Sequence, residues 1–239
     1  MTVEGSYNAR VIGAPGRPWL VRSAALDDLT EQGEATLRAH GVDLIIDLRE
    51  PTEHRPSSHN IEIHSVPLYR EQPPATGTLE GIYLRLLAER GQELSSAVSA
   101  IANHPGLAVV HCTAGKDRTG LVIALARLAA GDARNEVVSD YSHSGATVRP
   151  ARIGIATAQL QALSLSEDDH AAAERLHLDS PAEAIEVAID YIEQQGGAPA
   201  YLLRHGVAPE HIETLRHRAA NTTALPTTTS ASTGEVVSR

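Results

Sequence analysis

The chain has 239 residues, 42% of them hydrophobic but only 3% aromatic, with no Phe and a formal net charge of −10. That length suits one α/β domain with a core of Leu, Val, Ile and Ala, and the acidic balance excludes nucleic acid or an anionic membrane as a bulk partner. The single Cys excludes an intramolecular disulfide, residues 1–5 lack the basic and apolar regions of a secretory signal, and Arg127 interrupts the longest apolar run. The expected setting is cytoplasmic, without membrane insertion, and export without a signal peptide is left open.

In chain order, Gly13, Pro15, Gly16 and Pro18 precede Trp19, Leu20 and Val21, which reads as a turn and then a short strand. Residues 30–40 predict a helix with Leu29, Ala35 and Leu37 on one side and Gly41 as its stop. Residues 42–49 are almost continuously apolar up to Asp47, as a strand covered on both faces requires. Residues 61–66 alternate and predict a third strand, ended by Pro67. The Pro- and Gln-containing stretch 68–77 is a loop expected to border the site. Helices are expected at 79–88 and 94–102, the second with Leu94, Val98 and Ile101 as its apolar stripe.

Residues 107–110, Leu-Ala-Val-Val, predict a buried strand, and residues 121–130 a helix stopped by Gly131. Between them lie His111, Cys112, Thr113, Ala114, Gly115, Lys116, Asp117, Arg118, Thr119 and Gly120. A strand-to-helix loop of this kind turns successive amides inward at the positive end of a helix, which makes an anion site. A cysteine at its first turn is held toward the thiolate, and Arg118 can offer a planar fork of donors to two phosphate oxygens. Nucleophile, amide nest and guanidinium together describe attack on a bound phosphoryl group.

Further on, residues 137–141 continue as helix and residues 145–152 read as irregular chain. Ser166 with Asp169, and Ser180-Pro181 with Glu183, read as capping boxes for helices at about 167–177 and 181–195. Ile185, Ile189 and Ile192 line the latter, Gly196-Gly197 ends it, and residues 209–218 predict a last helix. The expected organisation is one domain over residues 1–220 and a disordered Thr/Ser-rich tail over 221–239. His54, His59 and His64 do not converge on one point, so no metal is expected.

The decapeptide resembles the Cys-x5-Arg signature loop of protein tyrosine phosphatases. Its Gly-Lys-Asp-Arg-Thr-Gly ending resembles the bacterial branch acting also on phosphoserine/threonine and phosphoinositides. Asn8-Ala9-Arg10, Arg22-Ser23 with Leu26, Asp47-Leu48-Arg49 with Glu53, and Asp140-Tyr141 with Ser144 resemble further elements of that family, although Val11 stands where an Asp is usual. The implied fold is α/β, with a central, mostly parallel sheet, helices on both faces and an extra helical segment over 153–195 that could act as a lid. The implied reaction is monoester hydrolysis through a phosphocysteine, with no cofactor and with a phosphorylated protein or phosphoinositide as the partner. Relatives usually carry the acid on a Trp-Pro-Asp loop, which this chain lacks, and there is no Asp between Asp47 and Asp117. Asp117 is therefore the first candidate for the acid, Asp47 the second and Glu71 the third. Thr113, Ala114, Gly115, Lys116, Thr119 and Gly120 are expected around the phosphate, with Thr119 also bonded to the sulfur, and His111 orients the cysteine. Lys116 is expected at the pocket mouth, suited to a second phosphate. Two other readings compete, a rhodanese-like sulfurtransferase, which Asp47-Leu48-Arg49 also resembles, and a catalytically weak phospho-ligand binder.

Overall fold

The computed structural model describes residues 1–14 and 17–223. Its five strands are β1 (Arg10–Ala14), β2 (Arg17–Ser23), β3 (Val42–Asp47), β4 (Glu62–Ser65) and β5 (Leu107–His111), side by side in the order β1-β2-β5-β3-β4. The β1–β2 pair is antiparallel and every other pairing is parallel. The expected α/β class with a mostly parallel sheet therefore holds. The first strand was not anticipated: Gly13 and Pro18, read as part of a turn, lie in β1 and β2, which pair antiparallel, and β1 closes one edge of the sheet.

Alternation in the central strands explains their unbroken apolar sequence. Leu44, Ile46, Ala108 and Val110 join the large core on one face, while Ile45, Leu107 and Val109 join Val3, Leu26, Leu29 and Leu37 on the other. Helix α1 (Glu31–Ala39) covers the smaller face, and its start is capped by Thr30, whose Oγ1 accepts from the Gly33 amide at 3.1 Å. The larger face holds α2 (Leu79–Glu89), α3 (Gly91–Asn103) and α4 (Asp117–Ala130). Helix α4 is buried nearly all round, because α3 and further helices surround it, and it ends at Gly131 with φ +101°.

The C-terminal half departs from the sequence expectation in four places. Helix α5 (Arg134–Gln161) runs straight through the stretch read as irregular, Gly145 and Pro150 included. Val137, Tyr141, Ser144, Val148, Ala156 and Leu160 form its buried stripe, and Arg149 is paired with Asp179 at 2.7 Å and Glu174 at 3.0 Å. These contacts outweigh the one hydrogen bond that Pro150 removes. Helix α6 (Glu167–Leu178) is capped by Ser166, as expected, with its Oγ accepting from the Asp169 amide. Helix α7 (Ala182–Gln194) starts without the expected box, since Ser180 Oγ is buried without a partner among the described residues. Gly196 and Gly197, both at positive φ, end α7 as expected and lead into α8 (Gly197–Arg204), which sequence reading missed. Helix α9 (Pro209–Thr223) extends beyond the expected 218. The tail expected from 221 otherwise lies outside the described residues.

Candidate active site

The loop from Cys112 to Lys116 joins the end of β5 to the first residue of α4, so residues 117–120 of the motif form the opening turn of that helix. Gly115 sits at φ +64°, and a Cβ there would fall on the backbone of Ser23. Only glycine fits this turn. Cys112 is 2% exposed. Burial raises its pKa, but the Arg118 charge and the hydroxyl and amide of Thr119 outweigh it, so the thiol lies below its ordinary value. Thr119 Oγ1 is buried with no hydrogen-bond partner among the described residues, and its hydroxyl is among the groups that lower the Cys112 thiol.

Arg118 is held from several sides. Its two terminal nitrogens donate to Glu53 Oε2 at 2.5 Å and Oε1 at 2.7 Å, one of them also reaches the Leu48 carbonyl at 3.3 Å, and the guanidinium lies 4.7 Å over the Tyr69 ring. Glu53 also accepts from the Thr113 hydroxyl. Burial opposes its charge, but Arg118 holds its carboxyl below the usual range. Glu53 is positioned by a short turn, Pro51–Glu53, where it accepts from the Glu50 amide at 2.9 Å, while Glu50 accepts from the Tyr69 amide at 2.7 Å. Sequence reading quoted Glu53 without giving it a task, and it gave none to Tyr69.

A nest whose amides point inward must turn its carbonyls outward, where they need donors. Asn8 Nδ2 donates to the carbonyls of Ala114 at 3.1 Å and Gly115 at 2.9 Å, and Arg22 donates to that of Gly115 at 2.7 Å. The Ala25 amide takes that of Thr113. Arg22, with no exposed surface, is neutralised by Asp140 at 2.6 Å, and Arg10 pairs with the same carboxylate at 2.6 Å. Burial would raise the Asp140 pKa, but Arg22 and Arg10 hold it down at about 2. Ser144 accepts from both arginines. The scattered sequence elements at 8–10, 22–26 and 140–144 thus meet behind the loop, and Arg10 acquires a place that the sequence did not assign.

The acid candidates separate clearly. Asp117 Oδ1 accepts from Tyr83 Oη at 2.6 Å and from Lys116 Nζ at 2.6 Å. Asp47, 3% exposed, is engaged by Arg49 through both oxygens, and these hydrogen bonds keep its pKa low against burial. Glu71 is exposed and 3.7 Å from Arg85. His111 is buried, and burial lowers its pKa; its Nδ1–H donates to the Cys112 carbonyl at 3.2 Å and Nε2 lies 3.6 Å from Asp47. Held between the Cys112 carbonyl and Asp47, the ring is placed to orient the loop. Lys116 overturns one expectation. Its side chain has no exposed surface and runs inward to Asp117 and to the Leu176 carbonyl of α6 at 3.1 Å, not to the pocket mouth. Its ammonium sits there because the following Asp117 and a helix-end carbonyl supply acceptors. Arg152 of α5 is partly exposed, and its charge acts on Tyr7 and His177.

A strand-to-helix phosphate loop carrying a buried, thiolate-favouring cysteine and a clamped arginine defines a phosphatase-type site. The chain belongs to the tyrosine phosphatase family, whose sequence profile matches residues 2–221, and it is an enzyme of that class. It is similar to a tyrosine-protein phosphatase of Nostoc commune, 27% identical over 228 residues, which covers 83% of this chain and 73% of the relative. It is also similar to the triple specificity protein phosphatase PtpB of Mycobacterium tuberculosis, 30% identical over 202 residues, covering 64% of this chain and 72% of the relative. Among the described residues no helix is long and apolar enough to cross a membrane, and no group of acidic, His and Cys side chains could hold a metal.

Proposed function

We propose that the enzyme hydrolyses phosphotyrosine monoesters through a phosphocysteine at Cys112, and that phosphoserine/threonine or phosphoinositide esters also enter. The carrying observation is the convergence of the lowered Cys112 thiol, the Glu53-clamped Arg118 and the inward-turned nest on one point. Cys112 Sγ attacks phosphorus in line with the leaving oxygen. As the S–P bond forms and the P–O bond breaks, the Asp117 carboxyl gives its proton to that oxygen. Amides of residues 113–118 and the Arg118 fork hold the three equatorial oxygens throughout. Water then attacks phosphorus, its proton passes to Asp117, and the sulfur leaves as a thiolate held by Thr119.

The broader acceptance of substrates is supported by the triple specificity of the mycobacterial relative. With Lys116 buried, Arg152 is the residue suited to a second negative charge on the substrate. The family match weighs against the sulfurtransferase reading, and retention of Cys112, Asp117 and Arg118 weighs against a mere binder. Of the segment read as a lid, α7 is core, with Ala184, Ile185, Ala188, Ile189 and Ile192 buried. Helix α6 and the end of α5 keep the lid reading: α6 buries only Ala173, Leu176 and Leu178 and is also held by polar ties, Lys116 to the Leu176 carbonyl, Arg175 to Glu80, and His177 to the Ala75 carbonyl.

The test is a substrate panel of phosphotyrosine, phosphoserine and phosphothreonine peptides and phosphoinositide vesicles, with wild type and Cys112→Ser. Phosphotyrosine turnover lost in the Ser variant, with a phosphoenzyme trapped on wild type by rapid acid quench, supports the reading. Turnover that survives Cys112→Ser overturns it.

A further inference from the structure

Tyr83 of α2 is fully buried, and its ring meets that of Tyr141 of α5 edge-on, with centroids 6.1 Å apart. Their hydroxyls are 2.6 Å from each other, and Tyr83 Oη is 2.6 Å from Asp117 Oδ1. An ionised carboxylate can only accept, so the Tyr83 proton points at Asp117 and Tyr83 must take its own hydrogen bond from Tyr141. The direction of the chain, Tyr141 to Tyr83 to Asp117, follows from that constraint. Lys116 Nζ donates to the same Oδ1, and no described residue donates to Oδ2. Gly120 completes the arrangement: a Cβ there would come within 2.9 Å of the Tyr141 ring, so the last residue of the motif makes room for the second tyrosine.

We infer that Tyr83, backed by Tyr141, is a positioning residue for the proton-donating step, fixing Asp117 Oδ1 so that Oδ2 is the oxygen that carries the proton. This rests on Asp117 being the acid. In the first step the Oδ2–H bond breaks as the proton moves to the leaving oxygen, and the charge left on the carboxylate is met at Oδ1 by donors already in place. In the second step the proton of the attacking water returns to Oδ2. Tyr83 itself transfers no proton: burial, reinforced by Asp117, raises its pKa well above the ordinary tyrosine value, so it stays a donor in both steps.

The experiment compares Tyr83→Phe, Tyr141→Phe, Asp117→Asn and the Tyr83→Phe/Asp117→Asn double variant in the full chain. Substrates are p-nitrophenyl phosphate, whose leaving group needs little protonation, and phenyl phosphate, whose leaving group needs much. Tyr83→Phe should lower kcat on phenyl phosphate about tenfold with KM unchanged, and on p-nitrophenyl phosphate by less than about threefold. Tyr141→Phe, which keeps the ring contact and removes only the supporting hydroxyl, should act in the same direction more weakly, and it carries the test if Tyr83→Phe melts early. In the Asp117→Asn background, Tyr83→Phe should cost nothing more. Equal losses on both substrates from the tyrosine variants, or full additivity with Asp117→Asn, would sink the inference while leaving the acid assignment standing. If Asp117→Asn alone shows no dependence on leaving group, the acid assignment fails first and takes the inference with it.

Discussion

Glu53 grips Arg118 with both carboxylate oxygens, at 2.5 and 2.7 Å, so the guanidinium fork is held in one orientation. The same carboxylate takes the Thr113 hydroxyl, which ties the first turn of the loop to its last. A residue 65 positions away in sequence thereby sets the shape of the anion site.

Glu53→Gln keeps the shape and removes the charge that holds the fork. Its kcat/KM should fall about 100-fold, the scale of a misplaced binding group. Inorganic phosphate should inhibit it more weakly, and the two constants measured together check the claim.

The lowered Cys112 thiol predicts alkylation by iodoacetate at a pH where a free thiol, with a reference pKa of about 8.5, hardly reacts. Because Arg118 supplies the leading stabilisation, Arg118→Ala should move the inactivation profile toward higher pH. Phosphate should protect wild type. An alkylation profile that follows an ordinary thiol would mean that the nest does not act on the sulfur.

Asp140 ties the loop to acid stability. Its folded pKa of about 2 lies below the unfolded value of about 3.9, so its contribution is complete above that value and is lost as pH falls from there toward 2. The contribution is about 2 kcal/mol. Asp140→Asn should destabilise by about 3–5 kcal/mol at neutral pH, since it leaves Arg22 and Arg10 without their anion. Urea unfolding at pH 7 and pH 3 should then show a smaller acid loss in the variant than in wild type.

Gly115→Ala places a methyl group against the Ser23 backbone at a positive φ. The loop must move, and about 100-fold or more of the turnover should go with it. The test is whether phosphate still protects Cys112 from alkylation, because protection should be lost together with turnover.

Hydrogen exchange addresses the region over the loop. The amides of α6, which buries only three side chains, should exchange faster than those of α4, which is buried nearly all round, and should slow when vanadate binds. Helix α7 should be slow in both conditions. Uniformly slow exchange across α6, unchanged by vanadate, would make it core.

The sequence determined whatever depends on neighbours along the chain. The Leu-Ala-Val-Val strand, the Cys-x5-Arg loop and the apolar helix after it are contiguous, so their conformation could be read directly. The strand at 42–47, the helices at 31–39, 79–89 and 167–178, the Ser166 cap and the Gly41 stop were legible for the same reason. Tertiary structure decided the rest. Pro150 and Gly145 argue against a helix locally, yet α5 runs through both because its buried stripe and the Arg149 pairs repay the loss. Lys116 looked like a charge for the pocket mouth until the Leu176 carbonyl and Asp117 drew it inward. Which donors satisfy the outward carbonyls of the nest, and which acid clamps its arginine, depended on residues 8, 22, 53 and 140 meeting across the fold. Those partners are distant in sequence, and a buried charge finds its counter-charge only when the chain has closed around both.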